Sequence, residues 1–401
     1  MSEFLNFQDV PVIALDELVQ SGDIELGRGN IISKIDIRAV SGLYPIYSSS
    51  SKNNGMMGRY GKFMFDEEMV TWSVDGGGTF FYRPRHKFSV TNVSGYMRAN
   101  QEKFDYKFLH SVLDYQHSFL NFDYQSKAHP SVIRELYEIP IPPLPEQKKI
   151  ASILTSVDKV IENTQKQIDK LQELKNATMN ELLTKGIGHT DFKDSKLGQI
   201  PKSWKVCSLG ELGQIIDPHP SHRAPPEVND GIPFLGIGDL KENGEIDTSK
   251  VRLVAREEIL EHEKRYQISE NTIGFGRVAS IGKIIDFPKE LKNVLISPTL
   301  AVIEPHSVQK KFLVNYLKSQ LIINQLNFLI TGSTRSSLGI QLLRELSIFL
   351  PPLPEQKEIA SILTSMDRNI EEKQHKLLQI QSLKKSLMQD LLTGKVRVTV
   401  S

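Results

Sequence analysis

Few residues of this sequence stand in a pattern that commonly carries catalysis or binds a metal. His219 and His222 lie in a proline-rich loop and could bind a metal ion, but no third ligand accompanies them. Gly274-Phe275-Gly276 is a lone glycine pair, which is a weak signal for a cofactor loop. The single cysteine, Cys207, excludes an internal disulfide and a cysteine-based zinc site, and we expect it to be a small core residue beside a strand.

Sequence motifs of common enzymes are also missing. We find no P-loop, no His-Glu-x-x-His zinc motif and no Asn- or Asp-Pro-Pro-aromatic run of the kind that adenine methyltransferases use. These absences argue against a self-sufficient enzyme and favour a binding or interaction protein.

Composition and charge are those of a soluble globular protein. The 401 residues are 39% hydrophobic and 24% charged, and the length suits two ordinary domains. The net charge is +1 and no basic block is present, which argues against strong non-specific binding to nucleic acid. The apolar runs are too short to span a membrane and the N-terminus lacks the pattern of a signal peptide, so we expect a cytoplasmic protein.

The strongest feature of the sequence is an internal repeat. The run Pro142-Pro143-Leu144-Pro145-Glu146-Gln147 returns 209 residues later as Pro351-Pro352-Leu353-Pro354-Glu355-Gln356, and over eighteen aligned residues only three positions differ. Proline suits the first turn of a helix but not its interior, and each repeat ends near a glycine, Gly186 or Gly394. We therefore predict two long helices of about 40 residues, each roughly 60 Å in length.

Each predicted helix carries one apolar seam with alternating steps of four and three residues, which is typical of a coiled coil. A lone helix cannot bury such a seam, so we expect the two helices to pack on each other. Two equivalent units favour an antiparallel pair, although the pattern alone does not decide the direction; packing of each helix only on its own globe is the alternative. The seam positions are Ile150, Leu154, Val157, Ile161, Ile168, Leu171, Ile359, Leu363, Met366, Ile370, Leu377 and Ile380.

The segments before the two repeats predict two globular domains, called globe 1 (residues 1–141) and globe 2 (residues 200–350). In globe 1 we predict strands at 10–15 and 62–65 and a helix at 103–120; in globe 2 a matching helix spans 309–328. The fold class is therefore α+β with an internal, two-fold-like repeat. Residues 142–199 form the central long helix with a turn-rich linker at 187–203, and residues 351–401 form the distal long helix.

The repeated Pro-Pro-Leu-Pro-Glu-Gln-x-x-Ile-Ala-x-Ile-Leu, with its long helix and Leu-Leu-Thr ending, resembles the conserved regions of type I restriction–modification specificity subunits. The segment 183–201 looks like the central linker of that family. Gly231-Ile232-Pro233-Phe234 with Gly238-Asp239-Leu240 resembles a recurrent element of its target-recognition domains. The resemblance covers the chain from end to end; the repeat motifs are specific and those inside the globes are weaker.

The resemblance implies that each globe reads one half of an asymmetric, bipartite sequence in double-stranded DNA. The paired helices would act as a spacer and as the docking surface for two methyltransferase subunits, with restriction subunits joining that core. A spacer of roughly 60 Å suits half-sites one to two helical turns apart. The chain itself would hold no cofactor, because S-adenosylmethionine, ATP and Mg would belong to the partner subunits.

Loop composition then suggests which residues contact DNA, since Arg and Lys suit guanine and phosphate while Asn and Gln suit adenine. His219 and His222 would face solvent or DNA. The alternative for each candidate is an ordinary solvated surface position. The candidates in globe 1 are Ser51, Lys52, Asn53, Arg83, Arg85, His86, Lys87, Gln125, Ser126 and Lys127. Those in globe 2 are Ser221, His222, Arg223, Lys241, Arg277, Thr334 and Arg335.

Near-neutral globes and long heptad seams suit a second class of protein equally well. A coiled-coil adaptor whose two globes bind other proteins would show the same charge and the same helices. The protein partners would separate the two hypotheses, because a methyltransferase supports DNA recognition and unrelated proteins support the adaptor.

Overall fold

The computed structural model describes residues 10–50, 52–75, 77–120, 127–219, 224–239, 247, 250–287, 293–330 and 337–399. The chain divides into two compact units, called unit 1 (residues 1–166 and 375–401) and unit 2 (residues 167–374). The division cuts both long helices, so each unit holds one globe and part of each helix. In the described part of the chain, no helix is long and apolar enough to cross a membrane.

Globe 1 is built on a six-stranded sheet of order β2-β7-β5-β6-β3-β4, in which only the contact of β3 with β6 is parallel. A separate antiparallel pair, β1 with β8, closes the domain before the first long helix. The strands are β1 (Val12–Ala14), β2 (Ile24–Arg28), β3 (Tyr44–Tyr47), β4 (Met56–Tyr60), β5 (Phe65–Ser73), β6 (Phe80–Val90), β7 (Ser94–Ala99) and β8 (Glu138–Pro140). The helices are α1 (Leu15–Gln20), α2 (Lys34–Ala39), α3 (Tyr106–His117), α4 (Pro130–Leu136) and the long α5 (Leu144–Lys185).

Globe 2 repeats this plan with shorter strands. Its main sheet has the order β12-β18-β15-β16, beside a second sheet β14-β13-β17 and the pair β11 with β19. The linker before globe 2 carries β9 (Phe192–Ser195) and β10 (Gly198–Pro201). The strands of globe 2 are β11 (Lys205–Ser208), β12 (Gly213–Ile216), β13 (Glu227–Leu235), β14 (Leu253–Val254), β15 (Ile273–Gly276), β16 (Ile284–Asp286), β17 (Leu295–Ile296), β18 (Leu300–Pro305) and β19 (Ser347–Leu350). The helices are α6 (Leu209–Leu212), α7 (Glu258–Glu263), α8 (Lys310–Leu317), α9 (Gln320–Ile330), α10 (Ile340–Arg344) and the long α11 (Leu353–Leu392).

The two globes share backbone contacts as well as strand order. The amide of Ala128 donates to the carbonyl of Val74 at 2.9 Å in globe 1, and the amide of Leu338 donates to the carbonyl of Arg277 at 2.9 Å in globe 2. These bonds tie the segment that precedes α4 or α10 to the loop that follows the central strand. The internal repeat therefore includes the globes, although their sequences differ.

The long helices are antiparallel within each unit. In unit 1, Asp158 of α5 pairs with Lys384 of α11 at 2.6 Å, and Glu146, nearer the start of α5, pairs with Arg397 beyond the end of α11. In unit 2, Lys373 donates to Gln167 at 2.9 Å, while Asp367 pairs with Lys175. Moving forward along one helix thus moves backward along the other, which confirms the antiparallel prediction.

The globe cores include both long helices. In unit 1 the core around the buried Trp72 takes in Ile150 and Leu154 of α5 together with Leu391 of α11. In unit 2 the core around Trp204 takes in residues of both helices in the same way, from Met179 and Leu183 to Ile359 and Leu363. Helix pairing and packing on the globe therefore occur together in both units.

The glutamine of each repeat holds the helix start to its globe. The side-chain oxygen of Gln147 accepts from the amide of Asp105 at 2.9 Å, and its amide group donates to the carbonyls of Lys103 at 2.8 Å and Pro142 at 2.9 Å. Asp105 is the N-cap residue of α3, so this contact joins the start of the long helix to the start of α3. Because the side chain of Gln147 is fully buried, these bonds are costly to lose: their partners would be left unsatisfied.

The equivalent Gln356 repeats the contact in unit 2. It accepts from the amide of Gln309, the N-cap of α8, at 2.9 Å and donates to the carbonyl of Pro351 at 2.8 Å. The neighbouring glutamates bind the segment that follows the other long helix. Glu146 accepts from Arg397 at 2.8 and 2.7 Å, whereas Glu355 accepts from the amide of Ile187 and from the side chains of His189 and Trp204.

Several sequence predictions need correction. The strand predicted at 10–15 is limited to β1, because α1 begins at Leu15, and the strand predicted at 62–65 begins only at its last residue, Phe65. The helix predicted at 309–328 is two helices, α8 and α9, since Ser319 bonds back to the carbonyl of Tyr316 at 2.6 Å and turns the chain. The turn-rich linker contains an antiparallel hairpin of β9 and β10.

Candidate functional site

Exposed polar side chains of globe 1 gather where strands end and loops begin. Arg28, the last residue of β2, donates from Nε to the carbonyl of Asn92 at 2.9 Å, and its Nη1 lies 2.9 Å from Nε2 of His129. Lys127 forms an ion pair with Asp75 at 3.5 Å. We call this surface the loop edge of globe 1 and define it as Arg28, Asp75, Asn92, Lys127–His129 and the turn Lys52–Gly55.

The segment that leads into the turn Lys52–Gly55 is tied to the same edge by serine and threonine hydroxyls. Ser73, at the end of β5, donates to the carbonyl of Ser49 at 2.7 Å, and Thr91 donates to the hydroxyl of Ser48 at 3.1 Å. The turn itself holds Asn53 and Asn54 at φ of 49° and 53°. Its side chains are exposed, so the loop edge offers cationic and amide groups that can contact phosphates and base edges.

Only some of the residues predicted to contact DNA lie on this surface. Lys52, Asn53 and Lys127 lie on the loop edge and are exposed. Arg28 and His129 also lie there, although the sequence did not single them out. A signal existed for His129, because a histidine before Pro130 and a helix start is a loop position, but nothing local distinguishes Arg28 from other strand-end arginines.

Arg83 lies in the interior, contrary to the expectation that it contacts DNA. Its side chain is among the largest fully buried ones, with 1% exposure. Nε donates to the hydroxyl of Thr71 at 2.9 Å and Nη1 donates to the carbonyl of Asn54 at 2.9 Å, while the guanidinium carbon lies 3.6 Å from the ring centre of Tyr47. Burial lowers the pKa of Arg83 to about 10, which leaves it cationic at neutral pH.

The remaining candidates of globe 1 follow Arg83 along β6 and lie on the strand, not on the defined loop edge. Arg85 is exposed, with Asp66 at 3.9 Å. His86 stacks on Phe88 with ring centres 4.6 Å apart, and Lys87 lies 4.8 Å from the ring centre of Phe63. Ser51, Gln125 and Ser126 lie outside the described residues.

Only Arg277 of the globe 2 candidates lies within the described residues, and it too is buried. Its Nη1 pairs with Asp217 at 3.1 Å and its Nε donates to the carbonyl of Leu338 at 3.0 Å. The guanidinium therefore joins the end of β12 to the segment before α10 and is not presented to a ligand. The candidates outside the described residues are Ser221, His222, Arg223, Lys241, Thr334 and Arg335.

His219 is buried, which corrects the expectation that it faces solvent or DNA. It lies against Phe234, and its ring centre is 5.0 Å from that of His262. Burial, and then the charge of His219, lower the pKa of His262. In the described part of the chain no group of three or more His, Cys, Asp or Glu side chains could hold a metal ion.

The lone glycine pair and the single cysteine both lie in strands of globe 2. Gly274 and Gly276 lie in β15, in the middle of the main sheet of globe 2, where the chain is extended and not a loop. Cys207 lies in β11 and packs against the core of unit 2, and burial raises the pKa of its thiol.

The seam residues divide by burial. The fully buried positions have exposures of 9% or less, and the others are half-buried. The buried ones are Ile150, Leu154, Ile168, Ile359, Leu363, Ile370 and Leu377; the half-buried ones are Val157, Ile161, Leu171, Met366 and Ile380.

The sequence profile of one protein family matches most of the chain. The family is described as the type I restriction modification DNA specificity domain, and the profile matches twice, at residues 9–173 and 201–382. Both matches contain a globe and the greater part of the long helix that follows it.

Individual relatives carry the same description. The chain is 29% identical over 399 residues to the type I restriction enzyme MjaVIII specificity subunit of Methanocaldococcus jannaschii, covering 95% of this chain and 93% of that protein. It is similar in fold to the crystal structure of the type I restriction–modification system S subunit from M. genitalium. The TM-score is 0.59 at 16% identity, and the similarity covers 99% of this chain and 97% of that one.

Proposed function

The chain belongs to the family of type I restriction–modification specificity subunits, and we propose that each of its two target-recognition domains reads one half of an asymmetric, bipartite DNA sequence. The observation that carries this proposal is that the two globes share one scaffold but differ in the side chains at its loop edge. The two globes share strand order and backbone contacts, yet the ends of their equivalent strands carry different side chains, such as Arg28 in globe 1 and Asp217 in globe 2.

The loop edge of globe 1 is the part of this proposal with described side chains. Arg28, Lys52, Lys127 and His129 supply cationic or hydrogen-bonding groups, and Asn53 supplies an amide of the kind that pairs with adenine. The edge is small and the net charge of the chain is only +1, so phosphate contacts from other subunits would supply much of the affinity.

Specificity subunits are non-catalytic components of type I systems, and this chain acts with partners in our proposal. The paired helices α5 and α11 are the docking surface for two methyltransferase subunits, and restriction subunits join that core. S-adenosylmethionine, ATP and Mg serve methyl transfer and DNA cleavage on those partners. The exposed leucines Leu174 and Leu383, which occupy equivalent positions of the repeat and are each 54% exposed, suit two similar contacts.

The test is to assemble the full chain with its methyltransferase subunits, methylate genomic DNA and map the modified adenines. We expect one split, non-palindromic sequence, and duplexes carrying it should be protected in footprinting. Equal binding to all duplexes, or pull-down of unrelated proteins in place of a methyltransferase, would contradict the proposal.

A single variant tests the loop edge. Lys127→Met should weaken binding of all duplexes severalfold and lower the slope of affinity against salt by about one ion, as expected for a lost phosphate contact. Lys62→Met, an exposed lysine of the same globe outside the defined edge, is the matched control and should leave both quantities unchanged.

A further inference from the structure

Arg83 is a buried cation that pairs with no acidic side chain among the described residues. Its side chain is 1% exposed. The acceptors around it are neutral, and its plane lies against the rings of Tyr47 at 3.6 Å and Phe81 at 4.7 Å. Removing a charge from water is costly when no opposite charge compensates, so its position calls for an explanation beyond packing.

Arg83 hydrogen-bonds to the turn Lys52–Gly55, whose backbone conformation is unfavourable. Three successive residues, Asn53, Asn54 and Gly55, have positive φ of 49°, 53° and 76°. Residues other than glycine adopt this region reluctantly, although asparagine is among the more tolerant. Arg83 donates directly to the carbonyl of Asn54, in the middle of this run.

We propose that Arg83 is a positioning residue for DNA recognition: it holds the turn Lys52–Gly55 in its left-handed conformation and thereby fixes Lys52 and Asn53 against the half-site that globe 1 reads. This inference rests on the proposed function of the loop edge. Two side chains on a fixed turn lose less conformational entropy on binding than they would on a mobile one, which favours selective contacts.

Arginine suits this role better than lysine would. One planar fork reaches Thr71 and Asn54 at the same time, and its faces contact aromatic rings. The buried arginine of globe 2 differs, because Asp217 lies 3.1 Å from Arg277 and balances its charge. A buried arginine with no acidic partner among the described residues is thus not a requirement of the shared fold.

The experiment uses the full chain assembled with its methyltransferase subunits and duplex oligonucleotides carrying the mapped target. Affinity is measured for the target and for every single base-pair change in each half-site. Arg83→Met should lower discrimination roughly tenfold at positions within one half-site and leave the other half-site unchanged. Arg83→Lys, which keeps the charge but not the fork, should not restore it.

The matched control is Arg38→Met, an exposed arginine of α2 in the same globe that is not among the DNA-contacting candidates; it should not alter discrimination. If thermal melting shows that Arg83→Met unfolds globe 1, Thr71→Val decides instead, since it removes only the acceptor of Nε. It should reduce discrimination in the same half-site by a smaller factor.

The inference would be overturned by a folded Arg83→Met or Thr71→Val protein with unchanged discrimination. Equal loss in both half-sites, or rescue by Arg83→Lys, would also overturn it, because either result assigns the effect to charge or general stability. Failure of the wild-type complex to prefer any target would instead contradict the proposed function itself, so the two failures are distinguishable.

Discussion

The starts of the two long helices use the same glutamate in different ways. In unit 1, Glu146 accepts two hydrogen bonds from the charged fork of Arg397, and the amide of Val398 lies 3.3 Å away. In unit 2, Glu355 accepts from the amide of Ile187 at 3.0 Å, from Nε2 of His189 at 2.8 Å and from the indole of Trp204 at 2.9 Å.

The difference shows what the internal repeat does and does not duplicate. The acceptors Glu146 and Glu355 are duplicated, but their donors come from segments with no sequence similarity, namely residues 397–398 after α11 and residues 187–204 after α5. Each helix start is therefore completed by the segment that follows the other helix. The residues after α11 belong structurally to globe 1, as the linker belongs to globe 2.

Substitutions in the apolar seam of the long helices should give the largest difference in unfolding free energy between the two units. Ile370 is 7% exposed, whereas Ile161, its equivalent in the repeat, is half-buried. Ile370→Asp places a charge in an apolar contact and should lower the free energy of unfolding by about 3 kcal/mol or more, and Ile161→Asp by about 1 kcal/mol. Denaturant unfolding followed by circular dichroism measures both. Leu378→Asp, at a position 64% exposed, is the control; equal stability of all three would mean that the seam is not buried.

Replacing the glutamines at the two helix starts should give a smaller difference in unfolding free energy between the units. Both glutamines are buried; Gln147 makes three hydrogen bonds and Gln356 makes two. Gln147→Leu should cost about 3 kcal/mol and Gln356→Leu about 2 kcal/mol, because each leaves buried groups unsatisfied. Gln172→Leu, an exposed glutamine of α5, should change the unfolding free energy by less than about 0.5 kcal/mol. A larger loss for Gln356→Leu than for Gln147→Leu would contradict this order.

The smallest expected effect is the pH dependence of the stability that the Glu146–Arg397 contact gives to unit 1. Hydrogen bonds from Arg397 lower the pKa of Glu146, so this contact stabilises the fold above the usual glutamate pKa of 4.5 and is lost as pH falls through the lower, folded value. Arg397→Met should cost about 1 kcal/mol at pH 7, since the arginine is 43% exposed, and progressively less in acid.

Thermal melting from pH 7 down to pH 3 tests the pH dependence. Lys395→Met, which removes an exposed ion pair with Asp390, is the matched control and should show a smaller difference. A constant difference across this range would contradict the role of the Glu146 charge.

The long helices were predictable because all three of their sequence signals lie within the repeat. The proline start, the heptad seam and the terminal glycine locate α5 and α11 to within a few residues. The polar contacts of Gln147 and Glu146 were not, since their partners near residues 105 and 397 are distant in sequence. Pattern analysis identifies an apolar face but cannot pair a buried amide with a donor from another element.

The candidate site was predictable only in part for a related reason. Lys52, Asn53 and Lys127 were chosen because they lie in polar loops, and they are exposed. Arg83 lies in a strand two residues after the buried Phe81, so strand alternation places both side chains on one face. Composition alone cannot distinguish a buried arginine that supports a turn from an exposed one that contacts a ligand.

The chain contains two tryptophans, and each is buried in a different unit. Trp72 donates to the carbonyl of Ala128, beside the loop edge of globe 1, and Trp204 donates to Glu355 at the start of α11. Tryptophan fluorescence, excited at wavelengths where tyrosine does not absorb, therefore arises from one residue in each unit. Replacing Trp72 with phenylalanine leaves an optical probe of unit 2 alone, so that local unfolding of the two halves can be followed separately without any added label.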